Sequence, residues 1–284
     1  MGQRAIARSA GRALDLLLLL VDRGQSGLSA RELSALLGAP RTSVSDLLTV
    51  LEGRGFVAET EDRRWRLDFR VAQLGNAYLH EFSVREIGRT VMRELSRRTR
   101  LTTQMAVLDH GDVVYIERQN ASRPLSQPHV ITDIGSRLPA YCTSLGKAML
   151  AHMSENELER LYGDGEMEPR TKNTITTLAR LKIELATVRR RGFAVDEEET
   201  TEGVVCVGAP ILGPDGRPEA AISVAGLRAG LAASMIESLG RSVAGAARQV
   251  ASARGGLAPP LPRRAVLRQR PQRANRRRLT RAAS

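Results

Sequence analysis

The stretch "ELSALLGAPRTSVSDLL", residues 32–48, constrains this chain more than any other. It holds two helical patterns, each too short to be stable alone, separated by a break at Gly38-Ala39-Pro40. Ser29 and Glu32 stand at capping-box spacing, and Leu28 with Leu33 can form a hydrophobic staple. Leu33, Leu36 and Leu37 make one apolar face, which Gly38 ends. Pro40 suits the first turn of the next helix, where Val44, Leu47, Leu48 and Leu51 recur at i, i+3, i+4 and i+7. Such helices persist only by burying their stripes against a third element. The candidate is an apolar first helix over about Ala10 to Val21.

Two short helices at an angle, joined by a glycine-containing turn, are the helix-turn-helix arrangement. Its second helix would turn Arg41, Thr42, Ser43, Ser45 and Asp46 outward at its N-terminal end, where side chains reach base edges in the major groove. Arginine can read guanine, serine and threonine can meet a base edge or a phosphate, and aspartate can accept from a cytosine amino group. Arg8, Arg12, Ser29 and Arg31 are further candidate contacts to double-stranded DNA. "GFVAETEDRRWRLD" then reads as two short strands around a charged turn, a wing presenting Arg63, Arg64 and Arg66 to phosphates. Trp65, the only tryptophan, is expected to pack the base of that wing.

The net charge of +12 misleads until it is divided. From Arg254 onward the chain carries ten arginines and no acid, which leaves +2 for residues 1–253. The tail, with its paired prolines and no apolar period, is expected to be disordered. It is either an auxiliary phosphate-binding arm or an inert extension. Two cysteines far apart in sequence make no disulfide framework and suit a reducing cytoplasm. The N-terminal arginines before an apolar run have the outline of a signal peptide, but Asp15 interrupts the run and Asp22-Arg23 ends it. A buried helix is the expectation there, and no segment is long enough to span a membrane.

After a linker helix from about Phe69 to Glu81, the second half alternates helices with strands. "VREIGRTVMRELSRRT" is amphipathic through Ile87, Val91 and Leu95, and a hairpin is expected to turn at Asp109-His110-Gly111-Asp112. A helix opens near Thr143, Ser154 and Glu157 repeat the capping box, and Leu178, Leu181, Leu185 and Val188 mark a longer helix ending at Gly192. Strands are expected around "FAVD", "VVCVGAPIL" and "EAAISVAG", then a last helix over about Ala232 to Ala253. This is an α+β pattern with one antiparallel sheet. No phosphate loop, nucleophile elbow or metal spacing among His80, His110, His129 and His152 announces catalysis. No catalytic residue, cofactor or metal is therefore expected.

"GSRLPAYCTSLGKAMLA", "RRRGFAVDEEE", "GVVCVGAPI" and "AAISVAG" follow the helix-turn-helix and wing in an order and spacing that resemble the IclR-type bacterial transcriptional regulators over residues 10–253. The resemblance implies a winged helix-turn-helix domain over residues 1–76, a linker helix to about 82, and a GAF-like effector-binding and oligomerisation domain over 83–253. It implies a small organic acid or related metabolite that switches DNA affinity, a dimer or dimer of dimers on a pseudo-palindromic operator, and repression as the commoner outcome. The matching pocket positions are Cys142, Thr143, Ser144, Asp196, Cys206 and Ser223, while Ala225 departs from members with serine there. A helix start with nearby hydroxyls suits a carboxylate. Asp196 reads either as an acceptor for a ligand hydroxyl or as a solvated loop acid. Two other function classes stay open: a cysteine-dependent redox or enzymatic protein with a docking module, and a non-specific nucleic-acid binder acting through the arginine tail.

Overall fold

The computed structural model of the chain describes residues 3–23, 26–80, 83–120, 132–163 and 165–254. The arginine tail after residue 254, His129 and the expected end of the linker helix at Glu81 lie outside the described residues.

Helix α1 spans Gln3–Arg23, α2 Ala30–Leu37 and α3 Arg41–Glu52. α1 starts a full two turns before the expected Ala10. No glycine or proline interrupts Gln3–Ser9, so a helix anchored by Leu16 and Leu20 propagates backward through good helix formers. The capping box forms as read: Ser29 Oγ accepts the Glu32 N–H, and the Glu32 carboxylate accepts from the Ser29 N–H and hydroxyl. Gly38 takes φ 58°, the left-handed conformation that lets the chain leave α2 without steric cost. Pro40 precedes α3 as its N-cap at φ −55°, one position earlier than expected. Leu16, Leu20, Leu28, Leu33, Val44, Leu48 and Val57 close a separate small core.

Strands β1 (Val57–Glu59) and β2 (Trp65–Leu67) pair antiparallel as the wing. Trp65 exchanges backbone hydrogen bonds with Leu28 at 2.7 and 3.0 Å, and its ring packs against this core, which ties the wing to the entry of α2. Helix α4 (Phe69–His80) is mostly exposed and leads to α5 (Ser83–Thr99).

The remainder is a three-layer α+β arrangement. Strands β3 (Thr102–Asp109), β4 (Asp112–Gln119) and β5 (Arg137–Pro139) precede helices α6 (Ser144–Leu150), α7 (Glu155–Tyr162) and α8 (Leu178–Arg191). Strands β6 (Ala194–Glu197), β7 (Val204–Leu212) and β8 (Pro218–Leu227) and helix α9 (Ala233–Arg254) follow. The six strands form one antiparallel sheet in the order β5-β4-β3-β8-β7-β6. Alternation decides which layer each residue meets. Val205, Val207, Ile222 and Val224 face α5 and α9 in one core, while Ala106, Val113 and Ala221 face α6, α7 and α8 in the other.

Candidate functional site

On α3 the buried stripe of Val44, Leu48 and Leu51 leaves Arg41, Thr42, Ser45 and Asp46 exposed, with Ser43 partly so. The N-terminal half of this helix is thus a polar, solvent-facing surface set on a packed pair. Arg31 on α2 is exposed, and on α1 Arg8 is exposed and Arg12 partly so. At the wing, Arg63 sits exposed at the turn with φ 59°, and Arg66 is exposed on β2.

Two expected contacts are otherwise engaged. Arg64 turns back into the protein rather than out along the wing: Nε donates to the Ser26 carbonyl at 2.8 Å, and Nη2 donates to the Gly27 carbonyl at 3.1 Å and meets Glu32. The basic ribbon is therefore Arg63 and Arg66, and Arg64 is a strut between wing and α2. The Ser29 hydroxyl is spent on the capping box, with both its proton and a lone pair committed to Glu32.

The second feature is a cavity between the sheet and the start of α6. Pairing across the sheet sets its floor in two rows. Asp196, Cys206, Ala225 and Thr102 are successive partners across β6, β7, β8 and β3, and Gly208, Ser223, Gln104 and Arg118 across β7, β8, β3 and β4. Partners in an antiparallel sheet project to the same face, and all of these except Gly208 line the cavity. Gly208 serves by lacking a side chain. A Cβ there would stand 2.8 Å from the Ser144 backbone, so only glycine lets the start of α6 approach the sheet this closely. Thr143 caps α6 by accepting the Gly146 N–H at 3.0 Å.

The inner end is polar and buried. Asp196 is 3% exposed, and its Oδ1 accepts the N–H groups of Glu199 (2.8 Å) and Thr200 (3.2 Å). Burial pushes its carboxyl above the ordinary range, against the pull of the Thr200 hydrogen bond and Lys147. Ser223 Oγ is buried with no hydrogen-bond partner among the described residues, an orphan that a bound polar group would satisfy. Behind this wall Lys147, 1% exposed, pairs with Glu199, and burial lifts the Glu199 carboxyl to about 7 despite that partner.

The family model described as bacterial transcriptional regulator IclR C-terminal matches residues 76–252, and the IclR helix-turn-helix domain model matches residues 9–61. The chain belongs to the IclR family. The transcriptional repressor IclR of Escherichia coli is 29% identical over 253 residues, 88% of this chain and 91% of that protein. The crystal structure of the Thermotoga maritima IclR superposes with a TM-score of 0.75 at 28% identity, covering 88% of this chain and 99% of that one. An IclR homologue from Microbacterium hydrocarbonoxydans, crystallised with 4-hydroxybenzoate, shares the fold with a TM-score of 0.73 at 22% identity, covering 86% and 99%. This IclR-family chain is a transcriptional regulator with a DNA-binding helix-turn-helix and a GAF-like effector domain, and it is not an enzyme. No helix among the described residues is long and apolar enough to cross a membrane.

For an IclR-family regulator, the expected pocket residues divide five to one. Thr143, Ser144, Asp196, Cys206 and Ser223 line one cavity. Cys142 is not among the lining residues: it is fully buried in the core with Leu145, Met149 and Leu181, and its thiol donates to the Pro139 carbonyl at 3.5 Å. It lies in the short helical turn 140–142, where one residue's shift rotates the side chain from cavity to core. Asp196 is an enclosed acceptor and not a solvated loop acid. Burial pushes the Cys142 thiol up to about 12 and that of Cys206 well above the ordinary cysteine value, which disfavours the thiolate that a reactive cysteine needs. Sequence reasoning missed Gln104, Tyr115, Arg118, Thr132 and Thr200 as lining residues. The first three read as ordinary hairpin positions, and only pairing across the sheet turns them inward.

Proposed function

We propose that this regulator is a repressor that binds a pseudo-palindromic operator as a homodimer or dimer of dimers, and leaves it when a small organic acid occupies the cavity. The observation carrying the reading is a cavity on the sheet with an unsatisfied Ser223 hydroxyl at its inner end, on the same chain as an outward polar α3. A ligand that prefers one arrangement of the protein shifts operator affinity by its differential binding. The regulator would act in the cytoplasm, with units at residues 1–76 and 83–253 joined through α4.

Self-association is supported by an exposed apolar stripe on α1. Leu14, Leu18 and Val21 there are 57–64% exposed, and Phe69 and Leu74 on α4 are exposed as well. A second copy would cover such surfaces. Arg8, Arg12, Arg31, Arg41, Thr42, Ser43, Ser45 and Asp46, with Arg63 and Arg66, form the proposed DNA-facing set.

Selection of bound sites from a random duplex pool, with full-length protein and with protein ending at residue 253, tests the reading. Both forms should return the same inverted repeat. Recovery of no motif, with the arginine tail accounting for all binding, would overturn it. On the recovered operator, Arg41→Ala should weaken binding by about 1–3 kcal/mol and relax selectivity at one base pair per half-site. An Arg63→Ala change should instead weaken binding evenly across sequences and reduce its salt dependence.

A further inference from the structure

The wing is too short to hold its own place. β1 and β2 share three residue pairs, and a two-stranded ribbon of that length is marginal by itself in water. Its turn is nonetheless stiff. The Thr60 N–H donates to the Arg64 carbonyl at 2.7 Å, the Thr60 hydroxyl accepts the Arg64 N–H at 3.1 Å, and the Thr60 carbonyl accepts the Arg63 N–H at 3.0 Å. Within this closed turn Arg63 takes the left-handed conformation, at φ 59°. Whatever fixes Arg64 therefore fixes Arg63 beside it and Arg66 two residues on.

The anchor is the segment that enters α2. The Arg64 guanidinium meets three acceptors there: the Ser26 carbonyl at Nε, and the Gly27 carbonyl and the Glu32 carboxylate at Nη2, the last at 3.2 Å. Glu32 is held in turn by the capping box, where its carboxylate accepts the Ser29 N–H at 2.8 Å. Three acceptors converging on one plane suit a guanidinium fork and not a single ammonium. α2 packs against α3, since Leu33, Val44 and Leu48 share one core. A continuous line of contacts thus runs from the wing through Arg64 and the α2 entry to α3. It sets the distance from Arg63 and Arg66 to the polar face of α3.

We propose that Arg64 is a positioning residue for DNA recognition: it makes no DNA contact itself, and it holds the wing so that Arg63 and Arg66 meet phosphates while α3 is seated in the groove. This deepens the DNA-facing set above and rests on it. The gain is order that exists before DNA arrives. Arginines on an untethered hairpin must be ordered at the moment of binding, and that cost is subtracted from affinity. Arg64, with its donors committed inside the domain, is taken out of competition for the phosphates that Arg63 and Arg66 reach.

Titration of the recovered operator with the full-length protein tests this, each variant being checked by thermal unfolding. The double substitution Arg63→Ala with Arg66→Ala should weaken binding by about tenfold or more. Arg64→Met should cost a comparable factor in the parent. In the protein already lacking the Arg63 and Arg66 side chains it should cost less than about twofold, because nothing is left to position. Arg64→Lys keeps the charge and loses the fork, so it should recover less than half of the loss on a logarithmic scale. It also carries the test if Arg64→Met unfolds the domain. An Arg64 that touches phosphate directly behaves otherwise: Arg64→Met then costs the same factor in both backgrounds, and lysine restores binding. Either result overturns the proposal, as does an unchanged affinity when Arg63 and Arg66 are removed together. Operator recovery by the parent comes first, so a failure of the DNA-facing reading shows in the parent and a failure of the Arg64 assignment only in the variants.

Discussion

Leu48→Ala is expected to cost about 2–5 kcal/mol and to remove operator binding while leaving the effector cavity intact. Leu48 is 1% exposed in a core of nine buried residues among those described, contributed by α1, α2, the turns on either side of α2, α3 and β1. A core this small has few neighbours able to move into the space left behind, so most of the transfer and cavity cost is retained. It is separate from the two cores that flank the six-stranded sheet, neither of which contains a residue before Val84 among its buried members. The measurement is calorimetric unfolding beside operator binding. The variant should show a low-temperature transition absent from the parent, with the main transition unmoved. Leu36→Ala, at a position 49% exposed, should change little. A single shifted transition for Leu48→Ala would mean that the two regions unfold as one.

Lys147→Ala should destabilise the effector domain by about 3–5 kcal/mol at pH 8, because it leaves a buried carboxylate without its partner. Lys147 on α6 is enclosed, pairs with Glu199 and lies 3.5 Å from Glu184, which also meets Arg191 at 3.0 Å. The pH dependence has a definite sign. The Glu199 carboxyl is raised from 4.5 to about 7 in the fold, so the folded protein holds a proton that the unfolded chain releases. This group's contribution is fully present below about pH 4.5 and is lost as pH rises through about 7. Removing the lysine charge raises that carboxyl further, so the penalty should be smaller at pH 5 than at pH 8. Denaturant unfolding at the two pH values measures it, and a pH-independent penalty would contradict the account. The damage should also reach the cavity, since the Glu199 and Thr200 N–H groups are what hold Asp196.

Much of this architecture was legible along the chain because it depends on near neighbours. The capping boxes at Ser29 and Ser154 involve residues three apart, and both form. Gly38 and Gly192 take positive φ where the periodic runs end. The hairpin turns at His110 and Gly111, both at positive φ, as the run Asp109-His110-Gly111-Asp112 implied. Five of six pocket residues read through family resemblance were also brought together, because short motifs preserve where a strand or a helix start sits in the sheet.

What failed was the destination of individual side chains. Arg64 reads as one of three wing arginines, yet carbonyls 37 and 38 residues earlier capture it. Cys142 reads as a neighbour of Thr143, yet it sits in the core. Arg118 reads as an ordinary hairpin position, yet a single extra residue in the pairing of β4 with β3 turns it into the cavity.

The sequence alone thus determined the elements, their caps, the faces they bury and the family to which they belong, since each follows from periodicities and spacings within a few turns of chain. The tertiary structure alone decided which charges face the cavity, which cysteine stays outside it and which wing arginine turns back into the protein. Those outcomes depend on strand register and on partners distant in sequence, and a one-residue slip in pairing exchanges the two faces of a sheet.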